Sequence, residues 1–217
     1  MKYDLVIFDL DGTLLDTLDD LAAAANHAMS THGFPTHSTG EVRRFIGNGV
    51  ARLIRRAAPE GTPEAVCQQA LADFKRYYAQ NLSVHTRPFE GVIALLEALR
   101  GAGVRAAVNS NKPDDAVQAL CRAHLSGLID MALGERADTP KKPAPDGVNR
   151  IIGALGASRD RTLYVGDGDT DLLTARNAGI ECAWVSWGYR RRGELGDLPV
   201  PHAFDSARAL GDFILLR

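Results

Sequence analysis

Leu5-Val6-Ile7-Phe8 runs directly into Asp9-Leu10-Asp11-Gly12-Thr13. The first four residues are apolar and partly β-branched, with polar residues on either side, which predicts a buried strand. The two aspartates at its exit are not core residues. Gly12 allows a sharp turn behind them, since glycine takes a positive φ at little steric cost. A strand that ends this way delivers paired carboxylates to the carboxyl edge of a sheet, where open α/β sheets bind ligands. There one aspartate could attack a substrate while its neighbour moves protons.

A second acidic run, Gly166-Asp167-Gly168-Asp169-Thr170-Asp171, follows another short apolar stretch, Thr162-Leu163-Tyr164-Val165. Between the two runs the pattern has two parts. From Asp16 to about Leu82 no good strand is found, and Leu18, Leu21, Ala22, Ala25 and Met29 recur at helical spacing. Val50, Leu53, Ile54 and Ala57 do the same, as do Val66, Ala70, Phe74 and Tyr77. Past Arg87-Pro88, strands are predicted over 104–108, 128–133, 163–165 and 182–185. They alternate with helices over 92–99, 114–123, 148–155, 172–178 and 207–216. Such alternation predicts a Rossmann-like parallel sheet with helices on both faces. The expected organisation is an α/β catalytic core of residues 1–15 and 86–217, with a small all-helical cap, residues 16–85, inserted after the first strand.

If the two acid-bearing strands are neighbours, at least four carboxylates meet at one edge. Like charges ~4 Å apart repel by roughly 4 kcal/mol at an effective dielectric near 20, so the cluster calls for a cation. An all-oxygen donor set favours Mg²⁺. Two further loops add complementary groups. Asn109-Ser110-Asn111-Lys112 leaves the strand at Val108 with a hydroxyl and amides suited to phosphate oxygens. Lys141-Lys142-Pro143-Ala144-Pro145 offers a lysine in a proline-stiffened loop. Together these suit phosphoryl transfer, in which positioning and charge neutralisation dominate.

Other readings fail on position. Asp167, Asp169 and Asp171 imitate the start of a calcium-binding EF-hand loop, but Leu172 and Ala178 stand where that loop needs Gly and Glu. Gly101-Ala102-Gly103-Val104-Arg105-Ala106 imitates a dinucleotide fingerprint, yet it precedes a strand instead of following one. The six histidines show no metal-binding spacing, and the three cysteines form no CxxC pair. A formal charge of -2 predicts no nucleic-acid or anionic-membrane surface. With no long apolar run and no room for a signal peptide before the first strand, a cytoplasmic protein is expected, monomer or homodimer.

The motifs in order resemble those of the haloacid dehalogenase-like hydrolase superfamily: Asp9-Leu10-Asp11-Gly12-Thr13, Ser110 after a strand, Lys142 before Pro143, and Asp167 with Asp171 in a GDxxxD pattern. Within it the chain is similar to the phosphoglycolate phosphatase family. Ile46-Gly47-Asn48-Gly49-Val50, Phe74-Lys75-Arg76-Tyr77-Tyr78, Ser110-Asn111-Lys112-Pro113, Lys141-Lys142-Pro143-Ala144-Pro145-Asp146 and Trp187-Gly188-Tyr189 carry that likeness.

The resemblance implies catalytic Asp9, as nucleophile, and Asp11, as acid and base. It implies Mg²⁺ held by Asp9, the backbone carbonyl of Asp11 and Asp167, with Asp171 in support. Ser110 and the Asn111 amide would bind a phosphate oxygen, and Lys142 would offset its charge. The implied partner is a small phosphorylated metabolite, 2-phosphoglycolate first. A related phosphatase of sugar phosphates or other small phosphoesters is the alternative, as is a phosphomutase similar to β-phosphoglucomutase. The cap is expected to read the leaving group, with Arg43 and Arg44 as candidates for a substrate carboxylate.

Overall fold

The computed structural model describes residues 2–47 and 49–215. Asn48, part of the quoted glycine-rich turn, and the end of the last expected helix lie outside the described residues. The chain divides into two compact units, Asp16–Arg87 and the remainder, Met1–Leu15 with Pro88–Arg217.

The larger unit is built on β1 (Leu5–Phe8), every residue of which is buried. The chain leaves through β2 (Leu15–Asp16) and, after the helical unit, returns through β3 (Arg87–Pro88), which pairs with β2 as a separate two-stranded sheet. Four helices lie between them: α1 (Leu18–Thr31), α2 (Thr39–Phe45), α3 (Val50–Ala57) and α4 (Glu64–Gln80). After β3 the order is α5 (Val92–Gly101), β4 (Arg105–Pro113), α6 (Asp114–His124), β5 (Met131–Glu135), α7 (Asp146–Leu155), β6 (Thr162–Gly166), α8 (Asp169–Ala178), β7 (Glu181–Val185), β8 (His202–Phe204) and α9 (Ala207–Leu215).

The main sheet has six strands in the order β5-β4-β1-β6-β7-β8, and all of its neighbours are parallel. The order runs outward from β1 in both directions, so the chain reverses its direction of travel there. That is the topological switch point at which such sheets bind ligands. β1 lies in register between its neighbours, with Phe8 opposite Val108 on one side and Val165 on the other. The Asp9 N–H continues the ladder to the Val165 carbonyl at 2.9 Å. The exits of β1, β4 and β6 therefore lie side by side.

Both faces of the sheet are covered, as the alternation predicts. Leu5 and Ile7 pack with Tyr164, Val148, Ile151, Leu172 and Trp184 in one core cluster. Val6 and Phe8 alternate to the opposite face and are equally buried. In the helical unit a separate core gathers Ala25, Met29, Leu53, Ile54, Phe74 and Tyr78. On α1 the buried carboxylate of Asp20 accepts from the backbone N–H of His85 and Thr86 and from the Thr86 hydroxyl, at 2.7–3.0 Å. It pins the returning chain to the first helix of its own unit.

Several boundaries depart from the periodicity. The strand expected over 128–133 is β5, shifted to Met131–Glu135, because Gly127 and Leu128 form a turn closed by a 3.0 Å bond from Leu128 to Leu125. β4 runs on through Asn109 to Pro113, with a shift in register against β5 between those residues. α2 and β8 have no counterpart in the sequence reading. α2 is one short helix begun by a capping box, with the Glu41 N–H on the Ser38 hydroxyl at 3.3 Å and the Ser38 N–H on the Glu41 carboxylate at 2.8 Å. Among the described residues no helix is long and apolar enough to cross a membrane.

Candidate active site

The site lies within the larger unit, at the carboxyl ends of β1, β4 and β6. Asp9, Asp167 and Asp171 each offer a carboxylate oxygen, and the three atoms lie within 4.8 Å of one another. Asp9 leaves β1, Asp167 follows Gly166 at the end of β6, and Asp171 lies in the first turn of α8. There the Asp171 carboxylate also accepts from the Gly168 N–H at 3.0 Å, so one side chain caps the helix and joins the cluster.

Lys142 enters from the loop before α7. Its ammonium lies 2.9 Å from Asp9 Oδ1 and 2.8 Å from Asp171 Oδ1, with its side chain 4% exposed. Three carboxylates thus face one ammonium in a nearly dry setting. Burial pushes the carboxyl groups of Asp9 and Asp167 well above the usual range. At Asp9 Lys142 opposes the shift and Asp171 adds to it; at Asp167 both Asp171 and Asp9 add to it. Lys142 is held above its ordinary value, because Asp171 and Asp9 outweigh the cost of its burial. A hard divalent cation fits this donor set, since it supplies the missing positive charge and prefers oxygen ligands.

The close approach of β1 and β6 requires glycine at position 12. Its φ is +87°, and a Cβ there would meet the Asp167 carboxylate at 2.6 Å. Thr13 Oγ1 lies 3.4 Å from Asp167 Oδ1, and the Tyr189 N–H donates to Oδ2 at 2.6 Å. The loop after β7 is itself tied down by Trp187 Nε1, which donates to the Thr13 carbonyl at 3.0 Å, and on β7 Trp184 Nε1 donates to the Asp167 carbonyl at 2.8 Å.

Ser110 and Asn111 lie on β4 beside this cluster. Ser110 is buried, and its hydroxyl accepts from the Lys112 N–H at 3.2 Å. The Asn111 side chain is committed to the lysine loop: its amide donates to the Lys142 carbonyl at 3.0 Å and accepts from the Lys142 N–H at 2.8 Å. It fixes the base of the loop from which Lys142 reaches the carboxylates. Lys141 points away, to Glu135 at 2.7 Å. Asp11 is not among the three clustered carboxylates. Its partner is Lys112, a residue the sequence reading left without a role, whose ammonium lies 2.9 and 3.1 Å from the two Asp11 oxygens. A signal for it existed, since residues two apart on a strand share a face and Lys112 follows Ser110 by two. Arg43 and Arg44 belong to the last turn of α2 in the helical unit, Arg43 half-buried and Arg44 exposed.

Residues 6–185 match the family model for haloacid dehalogenase-like hydrolases. The chain belongs to this family. A phosphoglycolate phosphatase of Aquifex aeolicus is 30% identical over 97% of this chain and 98% of its own length. One from Rhodospirillum rubrum is 33% identical over 96% of this chain and 90% of its own. Among solved structures, a candidate phosphoglycolate phosphatase from Lactobacillus delbrueckii subsp. bulgaricus superposes with a TM-score of 0.95 at 35% identity, covering all of both chains. The chain is accordingly a phosphatase of the haloacid dehalogenase-like hydrolases, and the α/β architecture is the one its sequence implied.

Proposed function

We propose that the protein is a Mg²⁺-dependent phosphomonoesterase that works through an aspartyl-phosphate on Asp9, with 2-phosphoglycolate as its substrate. The observation that carries this reading is that Asp9 and Asp11 have different partners. Asp9 faces Lys142 and the acidic cluster, whereas Asp11, two residues on, pairs with Lys112 and is not one of the clustered acids. A nucleophile next to positive charge and an acid kept out of the cluster are what phosphomonoester cleavage requires.

In the first half-reaction a carboxylate oxygen of Asp9 forms a bond to phosphorus as the bond to the substrate alkoxide breaks, and Asp11 gives that alkoxide its proton. In the second, water attacks phosphorus, Asp11 takes the proton, and the Asp9–phosphorus bond breaks to release phosphate. Ser110 and the main-chain amide N–H of Asn111 bind a phosphate oxygen, and Lys142 offsets charge as it accumulates. Mg²⁺ would be held by Asp9, Asp167 and the Asp11 main-chain carbonyl, with Asp171 in support; when bound it neutralises charge between nucleophile and phosphate.

The glycolate leaving group is the finer part of the proposal, supported by relatives named for that activity at 30% and 33% identity. We assign the helical unit the role of reading it. We place the reaction in the cytoplasm, a reading supported by three buried free cysteines, with a small phosphorylated metabolite as partner and a monomer or homodimer as the working form. The test is turnover of 2-phosphoglycolate, sugar phosphates and an aryl phosphate by wild type and Asp9→Asn. Wild type should prefer phosphoglycolate in kcat/KM by at least about tenfold, and Asp9→Asn should lose turnover of all three while keeping its fold. A flat ranking removes the substrate assignment. Activity retained by Asp9→Asn removes the covalent route.

A further inference from the structure

Lys112 holds Asp11 through both carboxylate oxygens, at 2.9 and 3.1 Å, with the lysine side chain 1% exposed and that of Asp11 16% exposed. It is reached from β4, the strand that also carries Ser110, so it is fixed by the same backbone that frames the site. A lysine buried this deeply needs an anion beside it, because an unpaired charge in a dry interior is costly. Two attractions compete for the Asp11 carboxylate in this proposal. One is Lys112. The other is the cation that the cluster of Asp9, Asp167 and Asp171 would hold, Asp9 being two residues from Asp11. A carboxylate drawn into that cluster would become a further metal ligand and be lost as a carrier of protons.

We propose that Lys112 is a positioning residue that keeps the Asp11 side chain out of the metal cluster and turned to the leaving group. During turnover one Asp11 oxygen stays on the Lys112 ammonium while the other gives and takes the proton. Lys112 touches neither phosphorus nor the leaving oxygen; it acts through Asp11. The inference rests on the proposed role of Asp11, and the experiment separates the two.

The experiment compares kcat and KM for an alkyl and an aryl phosphate at saturating Mg²⁺. The proteins are wild type, Lys112→Met, Lys112→Arg, Asp11→Asn and the double variant Asp11→Asn/Lys112→Met, with folding checked by circular dichroism. Alkyl leaving groups need the proton and aryl ones scarcely do. Lys112→Met should therefore lose at least about tenfold more kcat on the alkyl ester than on the aryl ester, with KM changed by less than about threefold. Lys112→Arg should recover part of the alkyl rate. In the Asp11→Asn background the methionine should cost less than about threefold more, since its route to the substrate is already gone. Equal losses on both esters, or losses that multiply in the double variant, overturn the proposal. Should Lys112→Met fail to fold, Lys112→Gln keeps a donor for one Asp11 oxygen and should show a smaller loss of the same selectivity. Failure of both to fold assigns the pair to stability and also overturns it. If Asp11→Asn itself shows no alkyl selectivity, the acid role of Asp11 falls first. If it shows that selectivity and Lys112→Met does not, only the role of Lys112 falls.

Discussion

The backbone N–H of Tyr189 donates to Asp167 Oδ2 at 2.6 Å, across 22 residues of chain. One carboxylate oxygen of a candidate metal ligand is thereby fixed by a main-chain group of the loop after β7. The loop can come this close only because Gly188 has no side chain: a Cβ there would lie 2.2 Å from the Gly12 carbonyl oxygen and 2.3 Å from Asp167 Cβ.

Gly188→Ala should therefore push Asp167 and the Gly12 turn apart. A misplacement of about 1 Å at a catalytic group costs on the order of a hundredfold in rate. Phosphatase activity of Gly188→Ala should fall by at least about tenfold, while Gly193→Ala, where a Cβ meets nothing within 4 Å, should behave as wild type. Wild-type activity in Gly188→Ala would show that the loop is free to give way.

Mg²⁺ should stabilise the protein against heat, since a ligand present at about a hundred times its Kd adds about 2.7 kcal/mol. For a chain of this size that is roughly a 5–11 °C rise in Tm. Asp167→Asn should abolish most of the rise without lowering the metal-free Tm, because it removes one of three crowded carboxylates, itself buried. An undiminished Mg²⁺ shift in Asp167→Asn would place the ion elsewhere.

Asp20→Ala should destabilise the helical unit. It strands the N–H groups of His85 and Thr86 in the place where the carboxylate now accepts them. Leaving buried donors unsatisfied costs about 1–3 kcal/mol each at most sites. Urea denaturation should show a loss of that order, and no change in midpoint would assign the contact to the surface.

Acid sensitivity should centre on Glu181, which joins Lys2, Tyr3 and His202 at the start of β7. Burial alone would raise its carboxyl, but the bonds from Lys2, Tyr3 and His202 hold it down at about 2, from an ordinary 4.5. A depressed carboxyl contributes stability above its unfolded value and loses it as pH falls through the folded one. Glu181→Gln should be less stable than wild type by about 1–3 kcal/mol at pH 7. The gap should narrow as pH falls from about 4.5 towards about 2. A gap that stays constant with pH would exclude the carboxylate as its source.

The parts of the fold legible in the sequence were those written in local pattern. β1 and β6 were visible as short apolar runs because both are buried on two faces, and α1 and α4 because their buried residues recur on one side. β8 was not legible: its three residues are exposed or half-buried and become a strand only by pairing with β7. α2 buries Val42 alone, too little for a periodic signal, and its start is marked only by the Ser38–Glu41 box. At the site, Asp9, Asp167 and Asp171 could be singled out because acids at strand exits are conspicuous. Lys112 could be read only from its place two residues after Ser110 on one strand face, and the Tyr189 contact not at all, since a backbone N–H carries no residue signature.

The central place of β1 also bears on how the molecule is made. Leu5 finds its two lateral partners at Arg105 and Thr162, so β1 waits for about half of the 217 residues before one side is satisfied and for most of them before both are. Long-range parallel pairing of this kind folds slowly. A product terminated before Thr162 would carry Leu5–Phe8 with an open, apolar edge, the form in which strands recruit one another into aggregates.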